Sequence, residues 1–311
     1  MSAPFFLVGA ERSGTTLLRL MLSHHPEIEC APEFEFLVEP LTEAGAWPDV
    51  GAYTDWLETE RTFLPHELPI DRTVDYASLA RGFFERFHER AGKPVRGATC
   101  HRHFDRLLRL WPEARFLHLV RDGRDVARSC IGMGWAGNVW TAARRWIDAE
   151  MLWRELAARV PAERRLDVRY EDLVSTPSDE LARVCAFLER AFDARMLDYA
   201  RTSTYDAPDP SLAERWRRDL GPRELALLEA RIGPMLRERG YAPSGVAAAP
   251  PGPLGRLRLA IQDRVFRFRF RWRRYGLGSI VKGRLAALLG WKGLGRRVIV
   301  ERNRVDDRHL R

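Results

Sequence analysis

An α/β fold with a central, mostly parallel sheet flanked by helices is what this 311-residue chain predicts, and three stretches carry the expectation. Phe5-Phe6-Leu7-Val8 reads as a buried strand, Gly9 to Gly14 as a tight turn, and Leu17, Leu18, Met21 and Leu22 as the inner face of a helix. The apolar run Arg115-Phe116-Leu117-His118-Leu119-Val120 repeats this order, followed by Arg121-Asp122-Gly123-Arg124-Asp125-Val126-Ala127-Arg128-Ser129. Leu166 to Val174 reads as a further strand with a turn. Strands alternating with helices build a parallel sheet whose ligands lie outside the strands' carboxyl ends.

The first unit sets the chemistry. Gly9 and Gly14 enclose four residues and precede Thr15-Thr16, the spacing of a nucleotide phosphate loop, in which N–H groups at a helix N-terminus cradle an anion. The expected fold is therefore the P-loop-containing nucleotide-binding one. Where a nucleotide triphosphatase carries Lys after the second Gly, this chain has Thr15, and its cation is Arg12, inside the loop. Phosphate binding is predicted, but not in the manner of an ATPase.

The stretch Arg12 to Leu18, with His25-Pro26 and the acidic Glu33, resembles the sulfotransferases that use 3′-phosphoadenosine-5′-phosphosulfate, most closely the tyrosylprotein and bacterial types. The resemblance implies that the loop residues Arg12, Ser13, Gly14, Thr15 and Thr16 hold the donor's 5′-phosphate. It also implies that Arg12 touches the oxygen leaving the sulfur and that an acid near Glu33 is the base, with Glu35 as the fallback. Glu27 to Ala31 reads as a short second strand, which places Glu33 at a carboxyl end.

Residues 36 to 95 have no site signature and are expected to form helices and long loops that shape the acceptor pocket; Asp75 to Arg90, with Leu79, Phe83 and Phe87 on one stripe, is a packing helix. Arg96 to Thr99 precedes a helix from about Phe104 to Leu110, which Trp111-Pro112-Glu113 stops. The strand end Arg121-Asp-x-Arg, with Ser129 eight residues after Arg121, resembles the element that grips the donor's 3′-phosphate. Arg121 can fork two N–H groups onto it and Ser129 can add a hydroxyl. Arg124 and Asp125 are expected to pair with each other or with neighbours, and Arg128 to be a solvated helix charge. Related enzymes usually carry a Lys shortly before the helix preceding this strand. None is found there, so Arg96 is the candidate replacement, with His101 and Arg102 as competitors.

Asn138 to Ala158 predicts a long helix with Trp140, Trp146 and Trp153 in packing roles. Arg169-Tyr170-Glu171-x-Leu173 resembles the segment whose Tyr lies beside the adenine. A helix from Ser178 to Leu188, with Ser178 as N-cap, and a terminal helix over Trp216 to Tyr241 complete the match, which covers roughly residues 4 to 242.

The chain divides into a sulfotransferase-like domain (1–243), a Pro, Ala and Gly rich linker (244–253) and a basic extension (254–311). From Leu254 onward there are 17 Lys and Arg against 4 Asp and Glu, a net of +13, which leaves 34 against 39, or −5, for the rest. Within the extension, Arg267-Phe268-Arg269-Phe270-Arg271-Trp272-Arg273-Arg274 alternates with a period of two, and a short amphipathic helix is expected near Ile280 to Leu289. This pattern suits an anionic membrane surface or an acidic partner, with a nucleic-acid strand ranked last; equally, it suits packing across the chain's own acidic part or a sister subunit. Cys30, Cys100, Cys130 and Cys185 have no paired spacing and read as reduced thiols. No apolar run approaches the ~20 residues of a membrane span and no signal peptide is predicted, so a cytoplasmic protein, at most peripheral to a membrane, is expected.

The implied reaction moves a sulfuryl group from 3′-phosphoadenosine-5′-phosphosulfate to an acceptor hydroxyl, releasing adenosine 3′,5′-bisphosphate. A sulfuryl group carries less charge than a terminal phosphoryl group, so N–H groups and Arg suffice and no metal is expected. Two rivals remain. A small-molecule kinase would need Lys in place of Thr15; a non-catalytic nucleotide-binding protein acting through its tail would need neither Arg12 nor Glu33. The acceptor, whether sugar, lipid, small alcohol or tyrosine, is left open.

Overall fold

The computed structural model describes residues 3–309; residues 1, 2, 310 and 311, the ends of the first and last segments delimited above, lie outside the described residues. Among the described residues five strands form one parallel sheet: β1 (Phe5–Val8), β2 (Ile28–Glu33), β3 (Val95–Cys100), β4 (Arg115–Val120) and β5 (Arg165–Arg169), in the order β2-β3-β1-β4-β5. Val8 lies level with Cys100 on one side and His118 on the other. The loop after β1 therefore leaves the centre of the carboxyl edge, between His101 and the end of β4.

The first helices are α1 (Thr15–His24), α2 (Val50–Leu57), α3 (Tyr76–Ala91) and α4 (Leu107–Leu110). After β4 come α5 (Gly123–Gly132), α6 (Val139–Ala157), α7 (Tyr170–Ser175) and α8 (Pro177–Phe187). The chain ends with α9 (Trp216–Asp219), α10 (Pro222–Glu238), α11 (Pro253–Leu288) and α12 (Lys292–His309). Strand alternation splits the core between two faces. Phe6, Val8, Ala98 and Phe116 pack under α3, α4 and the end of α6, whereas Phe5, Leu7, Leu117 and Val168 pack under α1, α7 and α8. A third cluster, around the fully buried Trp146, joins α5, α6 and α10. Leu17, Leu18, Met21 and Leu22 of α1 are all buried, each stabilising the sheet contact by about 1.5–3 kcal/mol.

Several boundaries differ from the sequence reading. β3 is a strand that local pattern does not mark: Gly97 and Ala98 have little β-propensity, and pairing on both sides, with β2 and β1, makes it one. Tyr170 lies not in a strand but at the first position of α7. α8 begins at Pro177, whose fixed φ and missing N–H suit the first helical position, so Ser178 is inside the helix and Thr176 occupies the cap. The terminal helix is split, because Pro222 starts α10 afresh after the short α9.

The basic extension departs most. Its alternating stretch and its amphipathic helix belong to one long helix, α11, kinked at Gly276 (φ 77°). A lone strand would leave its backbone groups without partners, whereas a helix satisfies them within itself. α11 packs on the body: Asp263 is buried and accepts from the Gly137 N–H at 2.8 Å, and the Leu259 carbonyl accepts from Asn138 Nδ2 at 2.8 Å. α12 folds back on α11, and its Asn303 donates to the Thr59 carbonyl at 3.2 Å while Arg296 pairs with Glu58. Among the described residues no helix is long and apolar enough to cross a membrane. All four cysteines are free and buried, and burial pushes the Cys30 and Cys130 thiols up to about 12.

Candidate active site: two clefts that meet at the phosphate loop

The loop between β1 and α1 follows from its glycines. Gly9 (φ 143°) lies so close to β4 that a Cβ would stand 2.4 Å from the Leu119 carbonyl oxygen, and a Cβ on Gly14 (φ 98°) would stand 2.3 Å from the Tyr170 ring. Gly14 caps α1 without a side-chain hydrogen bond, and the first intrahelical bond runs from the Leu18 N–H to the Gly14 carbonyl. The N–H groups of Thr15, Thr16 and Leu17 therefore have no intrahelical acceptor and carry the positive end of the helix dipole. Arg12 is held in the left-handed region (φ 72°), and its Nε donates to Ser129 Oγ at 3.0 Å.

A cleft of about 460 Å³ opens over this loop, bordered by Arg12, Thr15, Thr16, Arg121, Ser129 and Tyr170. Arg121 is clamped: its guanidinium stacks on the Tyr170 ring at 4.0 Å, donates to the Leu212 carbonyl at 2.6 Å and stands 3.7 Å from Asp125. Its buried Nε has no partner. Asp125 in turn accepts from the Trp216 N–H at 2.7 Å. Ser13 is the exception among the predicted loop residues: it is fully buried beneath the loop, not on the cleft wall, and its Oγ has no partner. Tyr170 is only 5% exposed, so its main contact is as a support under Gly14 and Arg121.

A second cleft, of about 310 Å³, shares Arg12, Thr15, Thr16 and Tyr205 with the first and is bordered on its far side by Glu33, Glu35, Arg61, His101 and Arg102. Glu33 ends β2 with its side chain 45% exposed, and Arg61 holds its Oε2 at 3.1 Å. Glu35 is 2% exposed; its Oε1 accepts from the His101 N–H at 2.8 Å, and its buried Oε2 has no partner. Burial pushes the Glu35 carboxyl up, against the pull of His101. Burial alone would lower His101, but Glu35, Glu33 and Glu11 outweigh it and raise the imidazole. Its Nδ1 lies 3.0 Å from the Gly9 carbonyl, which only accepts, so Nδ1 carries a proton; Nε2 is 3.4 Å from Thr15 Oγ1. His101 thus ties the first glycine of the loop to the first turn of α1.

Other sequence expectations change. Arg96 pairs with Glu85 of α3 and borders neither cleft. It sits near the start of β3, five residues or about 16 Å before the carboxyl edge, where its competitors His101 and Arg102 stand instead. Arg124 and Asp125 do pair with neighbours, as expected, though not with each other: Arg124 is buried between Asp122 and Glu229, each at 2.7 Å, with Trp216 under its guanidinium, and Asp125 faces Arg121. Arg128 is half-buried, pairs with Asp219 and faces the first cleft. The spacing Arg121, Asp125, Arg128, Ser129 is one helical face and could have revealed it. Arg215 and the Thr204–Asp209 loop also border this cleft, and no periodicity or motif marks them. Among the described residues no three His, Cys, Asp or Glu side chains converge as a metal cluster.

A model of the sulfotransferase family matches residues 4–194. Protein-tyrosine sulfotransferase 2 of Gallus gallus is 28% identical over 265 residues, 76% of this chain and 69% of its own. Protein-tyrosine sulfotransferase A of Caenorhabditis elegans is 25% identical over 275 residues, 80% of this chain and 70% of its own. In fold, the chain is similar to the sulfotransferase domain of the Synechococcus PCC 7002 olefin synthase, with a TM-score of 0.60 at 22% identity over 78% of this chain and 95% of that one. The sulfotransferase domain of the curacin biosynthetic pathway superposes with a TM-score of 0.57 at 20% identity over 78% of this chain and 99% of that one. The fold is the P-loop-containing nucleotide-binding one, and with the family model spanning more than half of its length this chain belongs to the sulfotransferase family.

Proposed function

We propose that this protein transfers the sulfuryl group of 3′-phosphoadenosine-5′-phosphosulfate to an acceptor hydroxyl by in-line displacement, leaving adenosine 3′,5′-bisphosphate. The observation that carries the proposal is the shared wall: Arg12, Thr15 and Thr16 border both clefts, so a group bound at the phosphate loop is open to attack from the second cleft. The donor's 5′-phosphosulfate sits on the N–H groups of Gly14, Thr15 and Thr16, its 3′-phosphate on Arg121 and Ser129, and its adenine beside Tyr170. Arg12 stabilises the charge that builds on the oxygen bridging sulfur and phosphorus. Glu33, the exposed carboxylate of the second cleft, takes the hydroxyl proton as the acceptor attacks, while Arg61 holds its orientation. Glu35 is the positioning group, fixing His101 against the loop.

Tyrosine is the acceptor that the two relatives' names favour. The test is a turnover assay with labelled donor, comparing tyrosine peptides with sugar, lipid and small-alcohol acceptors, and the labelled donor with labelled ATP. Transfer of phosphate from ATP, or donor binding without turnover on any acceptor, would overturn the reading.

A further inference from the structure

The apolar side chains of α11 are partitioned around the helix axis in a way its contacts with the body do not use. Leu259, Asp263, Phe266 and Phe270 recur at three- and four-residue spacing and form the face turned to the body, where Gly137 packs on Asp263 and Phe266, and Gly134 on Phe270. On the opposite face lie Leu254, Leu257, Ile261, Val265, Phe268 and Trp272, again three or four apart, and 37–75% exposed. Beyond the kink at Gly276, Leu277, Val281, Leu285 and Leu288 are likewise three or four apart, each at least 44% exposed. Among the described residues 17 large apolar side chains are exposed and 13 of them lie between 254 and 299, so the exposure is a property of this segment and not of the surface at large.

Charge decides what covers the stripe. Arg258, Arg269 and Arg273 border it on one side and Arg264 on the other, all exposed. From 254 to 300 the only acid is Asp263, which is buried and paired with Arg267 at 2.8 Å. A second copy of this helix would set Arg against Arg with no acid between them, whereas paired helices place opposite charges beside the seam. Phosphates at a bilayer surface meet the Arg borders, and acyl chains meet the stripe.

We propose that the outer face of α11 docks this protein on an anionic lipid surface, lying in the headgroup plane while its inner face stays on the body. The proposal does not depend on the donor assignment. The test is co-sedimentation of the full chain with phosphatidylcholine vesicles, with and without phosphatidylserine. Binding is expected only to the anionic vesicles and to weaken with salt. Replacing three charges (Arg258→Gln, Arg264→Gln and Arg269→Gln) should lower the partition coefficient roughly fivefold per charge, or about a hundredfold together. Phe268→Ser with Trp272→Ser should also release the protein from vesicles; because these side chains are exposed, circular dichroism and donor binding should stay as in the parent. No binding to anionic vesicles at low salt, or binding indifferent to both sets of variants, would overturn the proposal. So would a dimer in solution that the Phe268 and Trp272 changes turn into monomers, or retention on nucleic acid stronger than on vesicles.

Discussion

The two clefts share one wall and little else. The first cleft presents helix N–H groups with Arg12, Arg121, Arg128 and Arg215, and its Asp125 is already engaged by Arg121 and the Trp216 N–H. The second cleft gathers the carboxylates Glu11, Glu33 and Glu35 around His101. A transfer reaction has this asymmetry: negative charge accumulates on the leaving side, where cations stabilise it, and a proton must be removed on the attacking side, where a carboxylate accepts it. The loop is a divider whose residues face both ways, while the groups that define each side come from different parts of the chain.

The largest expected effect lies on the carboxylate side. Glu33→Gln should lower the turnover number by about 10²- to 10⁴-fold with donor affinity nearly unchanged. Arg12→Ala should reduce turnover by about 10²- to 10³-fold and ground-state donor affinity by less, as befits a residue that matters as charge builds. Near-normal turnover in Glu33→Gln, with loss in Glu35→Gln or His101→Ala, would move the base deeper into the cleft.

On the donor side, Arg121→Ala should weaken adenosine 3′,5′-bisphosphate by roughly ten- to a hundredfold, the loss of a charge-assisted fork, while adenosine 5′-monophosphate changes little. Calorimetric titration of both nucleotides measures this, and equal losses would show that Arg121 does not read the 3′-phosphate.

The divider itself can be strained. Gly14→Ala places a Cβ on the Tyr170 ring at a φ of 98°, so it should destabilise the fold by about 1–3 kcal/mol and weaken donor binding. Denaturant midpoints check the first effect, and an unchanged midpoint would mean that the Tyr170 wedge yields freely.

The smallest effect sharpens the electrostatic contrast. Burial raises Glu35 above its ordinary value near 4.5, and the surrounding acids raise His101 above its own near 6.5. Both groups bind protons more readily when folded, so their contribution to stability is complete below those values and declines as pH rises through the raised ones. The denaturation midpoint should therefore fall as pH rises above the ordinary Glu value and on through the raised Glu35 and His101 values, and Glu35→Gln should flatten that fall. A slope unchanged in Glu35→Gln would remove Glu35 as its source.

Legibility followed the same division. Arg12, Gly14, Arg121 and Ser129 lie in motifs tied to strand ends, so local pattern placed them on one cleft. His101 and Arg61 have no such pattern: one follows a strand that exists only because it is paired on both sides, and the other reaches Glu33 across 28 residues of sequence.

By itself, then, the sequence determined the parallel α/β sheet, the phosphate loop and its central place, because buried strands and a glycine-bounded turn are specified by neighbours a few residues apart. Tertiary structure alone decided the rest. The Thr204–Asp209 loop borders the first cleft because the chain returns there, Arg96 is engaged by α3 because β3 places it at the wrong end of the sheet, and an alternation of Arg with aromatics became a helix. The physical reason is the same in each case: which partner a backbone or a charge finds depends on what the fold brings within a few ångströms, and a period of two says only which side chains lie apart, not what stands opposite them.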